Sequence, residues 1–94
     1  EWNLRRTVEV NVVGVFLAAQ LAARVMADEG GGAILLLVRE GEGALFRATQ
    51  AAVETLADAL AGELAGHGIR IASLAATPSE DTANRALRFL SFSF

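Results

Sequence analysis

Six aliphatic residues in a row, Ala33-Ile34-Leu35-Leu36-Leu37-Val38, constrain this chain more than anything else in it. A strand with one wet face alternates apolar and polar side chains, and here the alternation is absent. A short segment that is apolar on both faces belongs in the middle of a parallel sheet, with helices on either side. Gly30-Gly31-Gly32 precedes it, and the polar, glycine-containing stretch from Arg39 to Gly43 follows it. The strand is therefore predicted over 33–38. The loop after it lies at the carboxyl end of the strand, where open α/β sheets bind ligands.

The segments on either side carry helical periodicity. Over 3–28, Val8, Val12, Val15, Phe16, Ala19, Ala22, Ala23 and Met26 recur at three- and four-residue spacing, and Gln20, Arg24 and Asp28 form a wet stripe. Gly14 inside that pattern costs helix propensity, so the close approach of another backbone is expected there. Over 44–65, Thr49, Ala52, Val53, Leu56, Leu60 and Leu64 make an apolar face, opposite Arg47, Gln50, Glu54 and Asp58. Gly66-His67-Gly68 ends the second helix, and Ile69 to Ala75 is a second strand with Arg70 near its start. Pro78 followed by Ser79-Glu80-Asp81 marks a turn and the start of a short helix over 79–90. The alternating tail from Phe89 to Phe94 is either a short strand or an apolar end expecting a partner. The order is helix, strand, helix, strand, short helix, with a crossover joining two parallel strands. Its helical faces are too apolar for so small a piece to stand alone.

Composition closes several functional classes. Ninety-four residues make one domain at most. No cysteine is present, which removes disulfides and thiolate metal sites. Net charge is -3, all eight basic residues are arginine, and no basic run exceeds Arg5-Arg6. A nucleic-acid surface needs clustered basic residues, so none is expected. The longest aliphatic run is far short of the roughly 20 residues that span a membrane. The N-terminus also lacks the basic-then-apolar order of a secretion signal. The expected compartment is the cytosol. The chain opens on Glu1-Trp2 rather than methionine, as a piece of a longer polypeptide would.

Several motifs in the same order then resemble one family. Trp2-Asn3 leading to Asn11-Val12-Val13-Gly14 is similar to a helix that enters with Trp and carries Asn-x-x-Gly. Gly32-Ala33-Ile34 and its aliphatic run resemble a strand leading to a catalytic serine. Leu60-Ala61-Gly62-Glu63-Leu64-Ala65 followed by Gly66-His67-Gly68-Ile69-Arg70-Ile71 resembles the turn from a motif helix into the next strand. Ala76-Thr77-Pro78 with Thr82 is similar to a Pro-Gly-Pro…Thr segment, with Ala76 and Thr77 as departures. Together these resemble the carboxyl-terminal half of a short-chain dehydrogenase/reductase domain. The resemblance implies an α/β fold, here a partial Rossmann-like three-layer unit with parallel strands and long amphipathic helices.

In that family a tyrosine passes a proton to or from the substrate oxygen. A lysine one helical turn later lowers the tyrosine pKa and holds the nicotinamide ribose. A serine orients the substrate, and an asparagine anchors a water relay. The equivalent positions here are Asn11, Phe46 and Gln50, and only Asn11 matches. Phe46 has no ionisable proton, Gln50 has no titratable amine, and the strand ends at Val38-Arg39 without a hydroxyl. The interval from that strand end to Phe46 is also shorter than the family's. Gly30-Gly31-Gly32 follows a helix and precedes a strand, the reverse of a diphosphate-binding fingerprint.

The expected function is a catalytically degenerate domain of this type, structural or assembling, within a larger oxidoreductase. The alternative is an incomplete record of an NAD(P)-dependent short-chain oxidoreductase acting on a carbonyl or alcohol. NAD or NADP is implied only if the missing half is present. Helices 3–28 and 44–65 are expected to meet a second copy, as a homo-oligomer, or another domain. A third reading is a small binding module at the Arg39–Gly43 loop and the Thr77–Asp81 turn. Asn11 is either a relic of the relay or a polar residue bonded to helix backbone. Phe46 packs or forms a ligand platform, and Gln50 is solvated or bonded to the loop. Thr49 caps or packs. His67 is structural. Glu40 and Glu42 are loop residues or a weak cation site, and Arg39 pairs with a carboxylate or holds an anion.

Overall fold

The computed structural model describes residues 2–39, 43–76 and 79–91, with side chains for 5–38, 43–75 and 79–91. The elements are α1 (Trp2–Val8), a π-helical turn (Glu9–Val13), α2 (Gly14–Asp28), β1 (Gly32–Arg39), α3 (Ala44–Leu64), a 3-10 turn (Ala65–His67), β2 (Ile69–Ala76) and α4 (Glu80–Ser91). The strands pair in parallel, from Gly32 opposite Ile69 to Arg39 opposite Ala76. The structure thus has the α/β architecture expected of a partial Rossmann-like unit.

Strand parity sorts the side chains into two faces. Ile34, Leu36 and Val38 of β1, with Ile69 and Ile71 of β2, are buried against Ala19 and Ala23 of α2 and Val53, Ala57 and Leu60 of α3. Val53 and Ala57 are each only 2% exposed. Burial of this kind stabilises by roughly 1.5–3 kcal/mol for each large aliphatic side chain. The opposite face carries Leu35, Leu37 and Arg70, and α4 packs there, touching β1. The Arg70 guanidinium reaches Phe89 of α4 by a hydrogen bond and a ring contact. Cover on this face is partial, since Leu37 remains 57% exposed. The strand is apolar on both faces, yet only one face is fully packed.

The first helix departs from a regular α-helix over 3–28. Its middle widens into the π turn, and the Gly14 N–H donates to the Glu9 carbonyl, five residues back. Gly14 therefore closes this turn. A Cβ there would meet only the Glu9 oxygen of its own helix at 3.4 Å, so the expected approach of a second backbone does not occur among the described residues. Val8 and Ala52, assigned to apolar faces, are exposed.

The close backbone approach lies elsewhere. Gly31 has φ +134° and Gly68 has φ +72°. A Cβ on Gly31 would come within 2.5 Å of the Gly68 carbonyl oxygen. The Gly32 N–H donates to that same oxygen at 3.2 Å. Only glycine allows two turns to press together in this way, and their contact sets the register of both strands at their first residues.

The start of α4 is capped as its sequence predicts. The Thr82 N–H donates to Ser79 Oγ at 3.2 Å, and Glu80 and Asp81 occupy the first turn, where the helix dipole favours negative charge. Phe89 to Ser91 belong to α4 rather than to a strand, and residues 92–94 lie outside the described residues.

The continuous helix from Arg5 to Asp28 has a mean hydropathy of 1.7 over its best 18-residue window, which is 11% buried. By length and composition it is able to cross a membrane, although its longest strictly aliphatic run is short. Alanine and valine spread along the helix raise the average without forming a run.

Candidate functional site

A cavity of about 270 Å³ opens beside the carboxyl end of β1. Its walls come from three elements. Thr7, Asn11 and Val15 come from the first helix, Leu37 and Val38 from β1, and Phe46, Thr49 and Val53 from α3. Thr7 and Asn11 are four residues apart and so lie on one side of the helix. The π turn carries Asn11, which is exposed, into this wall. Phe46 sits in the first turn of α3, 41% exposed. Gly43, with φ +96°, starts that helix without a side-chain cap, and its carbonyl accepts from the Arg47 N–H at 3.1 Å.

Two of the three positions that the sequence resemblance singles out, Asn11 and Phe46, thus border one cavity. The third does not border it. Gln50 Nε2 donates to Glu54 Oε1 at 3.1 Å, one turn further along α3. Thr49 is intermediate in exposure, and its hydroxyl donates to the Leu45 carbonyl at 2.9 Å, within its own helix. Its proton is thereby committed to a backbone carbonyl rather than to a base. The side chain of Arg39, together with Glu40, Glu42, Thr77 and Pro78, lies outside the described residues, and the readings of those residues lie there too. Thr7 and Leu37 carry no motif and went unnoticed in the sequence. The only available signal for Thr7 was its spacing of four from Asn11.

A second, more open groove of about 360 Å³ lies between the carboxyl ends of α2 and α3. It is bordered by Ala23, Arg24, Leu60, Glu63 and His67 among others. His67 is exposed in the 3-10 turn. Among the described residues no group of three or more His, Asp or Glu side chains is placed to hold a metal ion.

The sequence profile described as short chain dehydrogenase matches residues 1–89. The chain belongs to the short-chain dehydrogenase family. An uncharacterized oxidoreductase of Mycobacterium tuberculosis is 36% identical, over 73% of this chain and 28% of its own length. An NADPH-dependent aldehyde reductase-like chloroplastic protein of Arabidopsis thaliana is 40% identical, over 77% of this chain and 29% of its own. A galactitol 2-dehydrogenase (L-tagatose-forming) of Cereibacter sphaeroides is 35% identical, over 76% of this chain and 31% of its own. The chain spans less than a third of the length of these relatives. No solved structure matches it significantly.

The family implies NAD or NADP, but the residues described here do not fit a dinucleotide. The glycine triplet is pressed against Gly68 at the start of the strands, away from the ligand end. Gln50, which the sequence resemblance sets at the lysine position, donates to Glu54.

Proposed function

We propose that this chain is a catalytically degenerate short-chain dehydrogenase module with a structural or assembly role inside a larger oxidoreductase. The observation that carries this reading is the pair Phe46 and Gln50. The first presents to the cavity a ring without a transferable proton, and the second is tied to Glu54. No lysine exists in the chain to replace Gln50, and the strand end at Val38-Arg39 supplies no hydroxyl. Proton transfer to a substrate oxygen therefore has no donor in this set.

Assembly would use the outer faces of the two long helices. Val10, Val13, Leu17, Leu21 and Val25 form an exposed stripe along the first helix. Ala48, Ala52, Thr55, Ala59 and Gly62 form an exposed small-residue stripe on α3. Aliphatic ridges entering a groove floored by small residues give close helix packing. The partner in this reading is a second copy or another domain of the same polypeptide, in the cytosol, with neither nucleic acid nor membrane engaged. Ala19, Ala23 and Met26 already pack the other side of the apolar helix onto the protein core, which supports a soluble use for it. Cell fractionation that recovers the chain with membranes would overturn that part.

The test is oxidation of NADH and NADPH by the purified chain with a panel of aldehydes and ketones. No turnover is expected, and turnover above the rate without protein would sink the proposal. A second reading rests on the relatives, named as an oxidoreductase, an aldehyde reductase-like protein and a dehydrogenase, of whose length the match spans less than a third. The chain is then an incomplete part of an NAD(P)-dependent enzyme for a carbonyl or alcohol, whose tyrosine and lysine come from sequence outside it. The gene sequence between Arg39 and Leu45 separates the two. An inserted serine or Tyr-x-x-x-Lys segment favours the enzyme, and an uninterrupted match favours the degenerate module.

A further inference from the structure

All the sulfur in this chain is one thioether, because Met26 is its only methionine and cysteine is absent. That thioether covers the glycine junction at the strand starts. A Cβ on Gly32 would lie 2.8 Å from Met26 Sδ and 3.1 Å from its Cγ. The sulfur therefore occupies the space where a side chain on the first residue of β1 would stand. The backbone of Met26 is tied to the same place. Its carbonyl accepts from the Gly31 N–H at 2.8 Å and from the Glu29 N–H at 3.1 Å, while the Gly32 N–H donates onward to Gly68. One residue thus holds the turn by its carbonyl and shields it by its side chain.

Met26 packs against the hydrophobic core and is only half-buried, as are Gly31 and Gly32 beside it. Exposure of this degree gives a small oxidant a path to the side chain in the folded chain. A helix advances about 100° per residue, so Met26 stands about 140° or more from Leu17 and Leu21 of the exposed stripe. A partner seated on that stripe leaves it uncovered.

We propose that Met26 is a modification site for hydrogen peroxide, and that oxidation of its thioether loosens the junction of Gly31, Gly32 and Gly68. The sulfur lone pair attacks one peroxide oxygen. An S–O bond forms as the O–O bond breaks, and the sulfur is oxidised by two electrons. The transferred oxygen gives its proton to the departing hydroxide, which leaves as water. The product, methionine sulfoxide, is a polar and chiral group in place of an apolar one. An oxygen on the Gly32 side of the sulfur is crowded against that backbone, so the side chain swings toward water. The strand start then loses its apolar cover. Reductases specific for each sulfoxide epimer restore the thioether, which makes the change reversible.

The test treats the purified chain with hydrogen peroxide without denaturant and locates the added oxygen by peptide mass. Urea unfolding and amide exchange follow. One oxygen is expected at Met26, with the unfolding equilibrium constant raised about tenfold. Amides of Gly32 and Ala33 should exchange faster, with those of α4 unchanged. Reduction of both epimers should restore the starting values. Met26→Leu keeps an apolar side chain of similar volume and is expected to be indifferent to peroxide. Gly32→Ala pushes the sulfur off the junction, so oxidation of Met26 should cost this variant less than the parent. Circular dichroism confirms that each variant is folded. Met26 left intact while oxygen is added elsewhere, oxidised Met26 with unchanged unfolding and exchange, or an equal loss in Met26→Leu would each overturn the proposal. An undiminished effect of oxidation in Gly32→Ala would overturn the role of the junction.

Discussion

Arg70 and Phe89 are joined twice, by a 2.6 Å hydrogen bond from Arg70 Nη2 to the Phe89 carbonyl and by a guanidinium carbon 4.4 Å from the centre of the Phe89 ring. One side chain of β2 thus satisfies a carbonyl in the last turn of α4 and stacks on the same residue's ring. Carbonyls at a helix end lack partners within the helix and attract cations. On the face of the sheet opposite α2 and α3, α4 also touches β1.

Replacing Arg70 should therefore free α4 while leaving the α2–α3 layer in place. Arg70→Ala removes a hydrogen bond to a charged group and a cation–π contact, together worth about 2–3 kcal/mol. Hydrogen exchange is the direct readout. Amides of Ala83 to Ser91 should exchange quickly in the variant, with those of α3 unchanged. Arg70→Lys should recover only part of the protection, since an ammonium lacks the planar fork. Unchanged exchange in α4 would show that the contact does not hold it.

Gly31→Ala should be among the most disruptive single-methyl changes. The added carbon meets the Gly68 oxygen at 2.5 Å on a backbone with φ +134°, so the strand starts must separate. A cost of about 2–4 kcal/mol is expected from the steric and conformational terms together. Gly62→Ala is the control. It lies in α3 with nothing within 4 Å of the new carbon, and helix propensity favours the change by up to about 1 kcal/mol. Chemical denaturation of the two variants measures the difference.

Ser79→Ala removes the side-chain oxygen that accepts from the Thr82 N–H. Loss of such a cap costs about 1 kcal/mol. Because the site is exposed and remote from the core, the effect should appear as fraying of the first turn of α4, not as global unfolding. Exchange rates of the Asp81 to Ala83 amides would reveal it.

Leu17→Gln with Leu21→Gln tests the assembly role. Both side chains are largely exposed, so the fold should change by no more than about 0.5 kcal/mol for each substitution. If α2 mediates self-association, sedimentation should show a smaller species in the double variant. An unchanged sedimentation profile for an oligomeric parent would exclude this stripe as the contact.

Much of the architecture is legible in the residues because the signals are local and strong. The aliphatic run Ala33–Val38 falls inside β1, the periodicity of 44–65 matches α3 to within one residue, and Ser79-Glu80-Asp81 mark the start of α4. The π turn was not legible. Valines at positions 8, 10, 12, 13 and 15 suit several phases of a helix, so a one-residue offset leaves the apolar pattern almost unaltered. The role of Gly14 was misread for the same reason, as its partner is its own helix. The Arg70–Phe89 contact joins residues 19 apart through tertiary packing, which no spacing rule reveals. At the candidate site, Asn11 and Phe46 stood out through their motif positions. The bond from Gln50 to Glu54 follows from their spacing of four on the wet face, whereas the sequence reading sets Gln50 in solvent or against the loop.

The widened turn at Glu9–Val13 acts as a phase shifter. A helix advances about 100° per residue, so one surplus residue within a turn rotates everything on one side of it relative to the other by that angle. Upstream of the turn, Thr7 faces the cavity, and downstream Ala19 and Ala23 face the sheet. Val15, also downstream, lines the same cavity as Thr7, so the surplus residue keeps Thr7, Asn11, Val15, Ala19 and Ala23 on one side of the helix. Deleting a single residue from this segment would remove no core side chain and yet turn Thr7 away from the cavity wall. Tolerance to length change here is therefore governed by angle rather than by space.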